Sequence, residues 1–212
     1  MSMIDSHEQE QLDALKAWWN KNRNWLIAAL TVALLAYASV SYWKFYQHKQ
    51  SEEASMLYTE VLKQVASNDP KRINDSVAAL VEKYANTAYA SRAQFLAVQT
   101  NIQIKDLTLA KKQLEWVIAH ASESGLQDTA RLKLSSILLD EKKYDEAMIL
   151  LNATHPEAFT GLYADLKGDV LAAQGKTEEA RSAYKQALVG MESKSSYRNL
   201  IQLKLDGLGD VK

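Results

Sequence analysis

The sequence predicts an all-α chain: a single transmembrane helix near the N-terminus, followed by a domain of repeated helical hairpins. Three observations predict it. The stretch WLIAALTVALLAYASVSYW, Trp25 to Trp43, contains no charged residue. Beyond residue 50 the apolar residues recur every three or four positions, as in Ala54, Leu57, Val61, Val65 and in Val77, Leu80, Val81, Tyr84, which is a helical period. Three later stretches repeat one another's order of small and bulky residues.

Composition narrows the function classes. With 25 basic and 26 acidic residues among 212, the formal charge is −1, so the chain lacks the electrostatic footprint of a nucleic-acid binder. It contains no cysteine, which removes disulfides, thiolate metal sites and a cysteine nucleophile but leaves the redox compartment open.

Residues 1–24 read as a cytoplasmic tail, part of it an amphipathic helix. Ser6-His7-Glu8-Gln9 has the form of a capping box, and Leu12, Leu15, Trp18 and Trp19 fall on one helical face. That face suits the membrane interface or a partner's membrane helix, or the segment is a lead-in that orients the span.

Residues 25–46 read as the span. At about 1.5 Å per residue the uncharged stretch matches the ~30 Å hydrocarbon core of a bilayer. Trp25 at one end and Tyr42, Trp43 and Tyr46 at the other form aromatic belts, with Arg23 and Lys44 just outside them. A cleaved signal peptide is the competing reading, because Ala36-Tyr37-Ala38 resembles a cleavage site. Against it, the preceding segment is long and carries Asp5, Glu8, Glu10 and Asp13, and the apolar run continues to Trp43. The charge bias is weak: Lys16, Lys21 and Arg23 stand before the span, Lys44, Lys49 and Lys63 after it. A short cytoplasmic N-terminus with an exported C-terminal domain is the easier topology, since long domains translocate largely regardless of charge. In a bacterium this makes the chain a type II, single-pass inner-membrane protein with residues 47–212 in the periplasm.

Within residues 47–212, AQFLAVQTNIQIKDLTLAKKQLEWVI, ARLKLSSILLDEKKYDEAMILLNAT and YADLKGDVLAAQGKTEEARSAYKQAL share one spacing, from Ala93 to Ala110, Ala130 to Ala147 and Tyr163 to Ala180. Each reads as a helix, a short turn (Lys105-Asp106, Lys142-Lys143, Gly175-Lys176) and a second helix that opens on alanine with a bulky residue four positions later: Leu114, Leu151, Tyr184. A small residue admits a close helix crossing and a large one fills the adjoining gap, which is the logic of a tetratricopeptide repeat. The third copy fits best, through Gly168, Leu171, Ala180, Tyr184 and Ala187, although Lys167 stands where leucine is usual. Thr177 reads as the N-cap of its second helix, with Glu178 and Glu179 in the first turn. The larger spacing between the first two copies predicts a longer connection near Glu123–Gly125.

No catalytic, cofactor-binding or metal-ligating set emerges. His7, His48, His120 and His155 are scattered without metal-type spacing, the pairs Asp140-Glu141, Asp145-Glu146 and Glu178-Glu179 sit at turns beside lysines, and no glycine-rich phosphate loop is present. The chain is expected not to be an enzyme and to need no cofactor. A binding reading has more to use. If the first helix of each pair lines a concave surface, the candidate groove contains Phe95, Gln99 and Ile102, then Leu132, Ser136 and Leu139, then Leu162, Asp165 and Asp169. So apolar a row receives a hydrophobic segment from outside or is filled by this chain's own helices, around Ser51–Ser67 or Ser196–Leu205.

The YADLKGDVLAAQGKTEEARSAYKQAL stretch, with EQLDALKAWWNKN, SYWKFYQ and YANTAYASRAQFLA, resembles the YfgM family, the ancillary subunit of the bacterial SecYEG translocon. The resemblance covers nearly the whole chain and is most specific over residues 164–169, Gly175 and residues 180–184. It implies a membrane protein that associates with the translocon and with a periplasmic chaperone of the peptidyl-prolyl isomerase class, PpiD, and that helps pass unfolded, translocating polypeptides to periplasmic chaperones. A role in restraining an envelope-stress (Rcs-type) phosphorelay, by sequestering a component, is also implied; scaffolding of cell-envelope assembly is a further alternative. The family supplies no catalytic residue.

Overall fold

A computed structural model describes the backbone of residues 3–191 and 196–209, and the side chains of residues 10–191 and 197–209. Among these residues all regular structure is helical: α1 (Met3–Ser67), α2 (Pro70–Tyr84), α3 (Ala88–Gln103), α4 (Leu107–His120), α5 (Ser124–Asp140), α6 (Tyr144–Leu151), a 3-10 turn (Glu157–Phe159), α7 (Thr160–Ala173), α8 (Thr177–Gly190) and α9 (Ser196–Gly207). The chain divides into two compact units after Gln50.

In the first unit, α1 is long and apolar enough to cross a membrane, and none of its apolar window is buried inside the protein. Within the apolar stretch the Thr31 and Ser39 hydroxyls donate to the Ile27 and Leu35 carbonyls at 2.8 Å, so the helix satisfies these two polar groups itself. The helix is already running at Met3, so Ser6 lies inside it and does not cap it. Nothing upstream of Ser6 breaks a helix: Met3, Ile4 and Asp5 include neither glycine nor proline.

The second unit is built from helical hairpins around three cores. Residues 51–67 of α1 pack with α2 and α3 through Ala54, Val61, Ile73, Val77, Leu80, Ala93 and Ala97. A central core joins α3, α4, α5, α6 and α7 around Leu114, Leu134, Leu138, Leu151 and Tyr163. A third joins α7, α8 and α9 through Ala164, Leu171, Ala180, Tyr184, Ala187 and Ile201. The pairs α3/α4, α5/α6 and α7/α8 match the three repeated stretches, and the small residues Ala110, Ala147 and Ala180 are fully buried with Leu114, Leu151 and Tyr184 beside them. In α7 and α8 the approach is closest: a Cβ on Gly168 would lie 2.4 Å from the Tyr184 ring. Farther along the same pair, a Cβ on Gly190 would lie 2.9 Å from the Gly161 nitrogen.

The three turns share one device. Lys105, Lys142 and Gly175 have φ of 63°, 61° and 76°. The next residue's N–H then reaches back to a first-helix carbonyl: Asp106 to Asn101, Lys143 to Leu138 and Lys176 to Leu171, at 2.8, 2.8 and 2.9 Å. This left-handed closure absorbs carbonyls the helix end would leave unpaired. Asp69, Thr87 and Asp106 cap α2, α3 and α4 with their side chains. Thr177 does not cap α8; the turn geometry makes Lys176 the cap residue and Thr177 the first helical one, with Glu178 and Glu179 in the first turn as expected.

The unequal repeat spacing has a different origin from a long connection near residue 123. Only residues 121–123 separate α4 from α5, while residues 152–159 separate α6 from α7. The extra residues of the first copy are helical. No proline interrupts residues 111–124, so α4 runs 14 residues, whereas α6 stops after 8 ahead of Pro156.

Two exposed lysines in the left-handed region give a direct test. Replacing Lys105 or Lys142 with glycine should raise unfolding stability by about 1 kcal/mol each, and Gly175→Ala should lower it by about the same. Denaturant titration of the intact chain in mild detergent reads both signs.

Candidate functional site

The nine groove residues fall on α3, α5 and α7 at matched positions. Phe95, Leu132 and Asp165 stand two residues after Ala93, Ala130 and Tyr163; Gln99, Ser136 and Asp169 stand six after them. Phe95, Ile102, Leu132 and Leu139 are half-buried and pack against the central core, which leaves one side of each open. Gln99 and Ser136 are exposed, and Leu162 is half-buried. Lys133 places its Nζ 5.8 Å from the Phe95 ring centroid, so the ring carries a cation at its face.

The third helix of the row is different in chemistry and in cover. Asp165, only 2 % exposed, accepts from Lys204 Nζ at 2.9 and 3.0 Å and from the Tyr197 hydroxyl at 2.7 Å. Asp169 accepts from Lys204 Nζ at 2.8 Å and from the Tyr184 hydroxyl at 2.8 Å. Lys204 and Tyr197 belong to α9, and Arg198 of the same helix donates to the Leu188 carbonyl of α8. Helix α9 therefore occupies the Asp165 and Asp169 end, while among the described residues α9 makes no such polar contact with the Phe95 to Leu139 part of the row.

Burial of the Tyr184 and Tyr197 rings, and then their bonds to Asp169 and Asp165, raise both phenol pKa values. For Lys204 burial acts downward, yet the bonds to Asp169 and Asp165 outweigh it and the net shift is upward. A related lock joins α5 to α7: Asp128, 1 % exposed, accepts from Arg131 at 2.7 Å and from the Tyr163 hydroxyl at 2.9 Å. Burial, then that bond, push the Tyr163 pKa up to about 12.

A third lock, invisible in the sequence order, is a triangle of carboxamides from α2, α3 and α4. Asn74 and Asn101 exchange bonds of 2.9 and 3.0 Å, Asn101 donates to Gln113 Oε1 at 2.7 Å, and Gln113 Nε2 donates to Asn74 Oδ1 at 3.0 Å. Asn74 Nδ2 also donates to the Pro70 carbonyl at 2.9 Å. Since a carbonyl only accepts, that contact fixes which end of each amide points where around the triangle. The residues lie 27 and 39 positions apart, so no local spacing announces them.

The span residues Trp25, Tyr42, Trp43 and Tyr46 are all exposed on α1, with the Trp43 and Tyr46 rings tilted at 6.5 Å. His120 stacks on Trp116 and His155 on Tyr163, and among the described residues no group of three or more His, Asp or Glu is placed to hold a metal.

Comparison with known proteins matches the description "tetratricopeptide repeat-like domain" over residues 16–210. A protein of Neisseria gonorrhoeae named ancillary SecYEG translocon subunit is 33 % identical, over 95 % of this chain and 97 % of its own. Proteins of the same name from Aggregatibacter actinomycetemcomitans and Escherichia coli K12 are 27 % and 26 % identical, over 95 % and 97 % of this chain and 97 % and 98 % of theirs. These are similarities to ancillary translocon subunits, not to a known enzyme family.

The α9 lock makes two expected outcomes. Lys204→Met leaves two carboxylates, one deeply buried, without their cation and should destabilise the α9 end by about 3 kcal/mol, whereas adding Asp165→Asn and Asp169→Asn should recover most of it. Proteolytic release of α9 reads the difference. In alkali, tyrosine and lysine pKa values raised by folding mean stability complete below the free-tyrosine range near pH ~10 and lost as pH climbs toward the folded values. Tyrosinate absorbance of Tyr163, Tyr184 and Tyr197 should then appear together with loss of helical circular dichroism; ionisation of all three within an intact fold would contradict these contacts.

Proposed function

The chain belongs to the ancillary SecYEG translocon subunit family, and from that premise we propose that it is a non-catalytic translocon subunit of the inner membrane that links translocating polypeptides to periplasmic chaperones. The observation that carries the reading is the end-to-end correspondence with relatives of that name, which spans both the apolar helix and the repeat body. Residues 1–24 remain in the cytoplasm, α1 crosses the membrane once through residues 25–46, and residues 47–212 form the periplasmic domain. Its partners are SecYEG, a PpiD-type isomerase chaperone and unfolded chains.

Position is the mechanism. An anchor that holds a weak binding module beside the translocon exit gives it a millimolar-scale effective concentration of emerging chain, of the order that short tethers produce. The open faces of Phe95, Ile102, Leu132 and Leu139 support contact with an apolar segment in that setting. Exposure of every belt aromatic on α1 supports a lipid or partner environment around the span.

Purification of the intact protein from mildly solubilised inner membranes, with quantitative mass spectrometry, tests the assignment. Translocon subunits and an isomerase-class chaperone should co-purify. Replacement of residues 25–43 by an unrelated span should reduce that recovery at least several-fold if the helix is recognised, and leave it unchanged if it only anchors. Recovery of stress-signalling or cell-wall components alone would overturn the proposal.

A further inference from the structure

Beside the carboxamide triangle lies an open cleft of about 430 Å³, within the ~300–1,000 Å³ typical of ligand clefts. Its polar lining is Asn74, Gln94 and Gln113, and its apolar lining includes Val77, Leu109 and Trp116. The hydrogen-bond inventory of the three amides is nearly closed. Asn74 and Asn101 use both of their N–H groups within the triangle and on Pro70, but Gln113 Nε2 makes one bond of its two. Gln113 is 7 % exposed and cannot swing away without breaking the triangle, so its spare N–H is held in place. Gln94 supplies the complement: its Oε1 is buried and has no partner. The half-buried Gln94 side chain lines the cleft, and its broad terminal torsion lets that oxygen turn toward it.

One spare donor and one spare acceptor on the same apolar cleft match the single carbonyl and single N–H of a peptide group. We propose that this cleft binds one peptide unit of an extended, uncharged polypeptide segment, with Gln113 Nε2 donating to its carbonyl, Gln94 Oε1 accepting from its N–H and an apolar side chain against Trp116. The charged groups of the lining, Asp75 and Lys112, are one of each sign, so the cleft has no net charge to select a phosphate or a carboxylate. The Trp116 ring is also stacked on the His120 ring at 4.4 Å, which restricts its movement. The site is separate from the α3, α5 and α7 row, and it stands on its own chemistry whether or not the chain serves a translocon.

The test uses the full chain in lipid nanodiscs and, as probe, reduced carboxymethylated α-lactalbumin, which stays unfolded, beside the native form of the same protein. A photo-crosslinking residue placed at Ala78, an exposed position on the cleft wall, should capture the unfolded probe and not the native one. Gln94→Leu should weaken binding about five- to tenfold, the loss expected for one hydrogen bond, while raising the thermal midpoint because an unpaired buried acceptor is gone. Ala78→Trp, made without the crosslinker, should fill the cleft and abolish binding of the unfolded probe. Absence of an adduct, or equal binding by the wild type, Gln94→Leu and Ala78→Trp, would overturn the proposal; in that case a bound water meets Gln94. Co-purification of translocon subunits with the Ala78→Trp protein reports on the membrane role separately, so either assignment can fail alone.

Discussion

Helices in this body approach one another at distances that only a hydrogen atom or a methyl group permits at the crossing point. Gly168 lies so close to the Tyr184 ring that even a methyl group would collide with it, and Ala110, Ala147 and Ala180 fill the equivalent role on the second helices with no exposed surface. The register of each hairpin follows from that constraint, because sliding one helix by a residue would bring a bulky side chain to the crossing. Once the register is set, the turn between the helices has one shape, and the outward positions of α3, α5 and α7 fall into a common row. The row is thus a consequence of a packing rule rather than a feature added to it.

Apolar packing alone leaves the joins between hairpins free to slip, since one buried aliphatic contact is much like another. Three places here carry a buried polar lock. The amide triangle ties α2 to α3 and α4, Asp128 with Arg131 and Tyr163 ties α5 to α7, and Asp165 with Asp169 and Lys204 ties α7 to α9. Such groups demand particular partners in particular directions, so they select one arrangement among many of similar apolar burial. One consequence is that the exposed side chains keep fixed spacings.

Legibility in the sequence followed the range of the interaction. Helical period, the alanine and bulky-residue spacing and the three turns are local, and each appears where the residues point. Local signals with a close competitor were misread. Thr177 has a capping side chain, but the left-handed turn at Gly175 brings Lys176 to the cap position, and Ser6 has a capping pattern with no helix breaker ahead of it. The longer repeat spacing suggests a longer loop, whereas the absence of a proline simply lets α4 and α5 extend. Of the candidate row, Asp165 and Asp169 follow the repeat spacing, but the sequence does not reveal their neighbours, because Lys204 lies 39 and 35 residues away. The triangle was missed for the same reason: asparagine and glutamine in helices usually mark solvent, and only tertiary contact reveals otherwise.

The division into three cores also sets how the body comes apart. Helix α3 belongs to the first and central cores and α7 to the central and third, whereas α9 is held by the buried Ile201, the partly buried Leu205 and its polar contacts to Asp165 and Asp169. Helix α9 meets only the third core, while the central core draws on five helices, α3 to α7. The array therefore has an end that can fray and reseal on its own while its centre stays shut, and slow amide exchange should be concentrated in α4, α5 and α7. A scaffold built this way can renew its last helix many times within the life of one folded molecule.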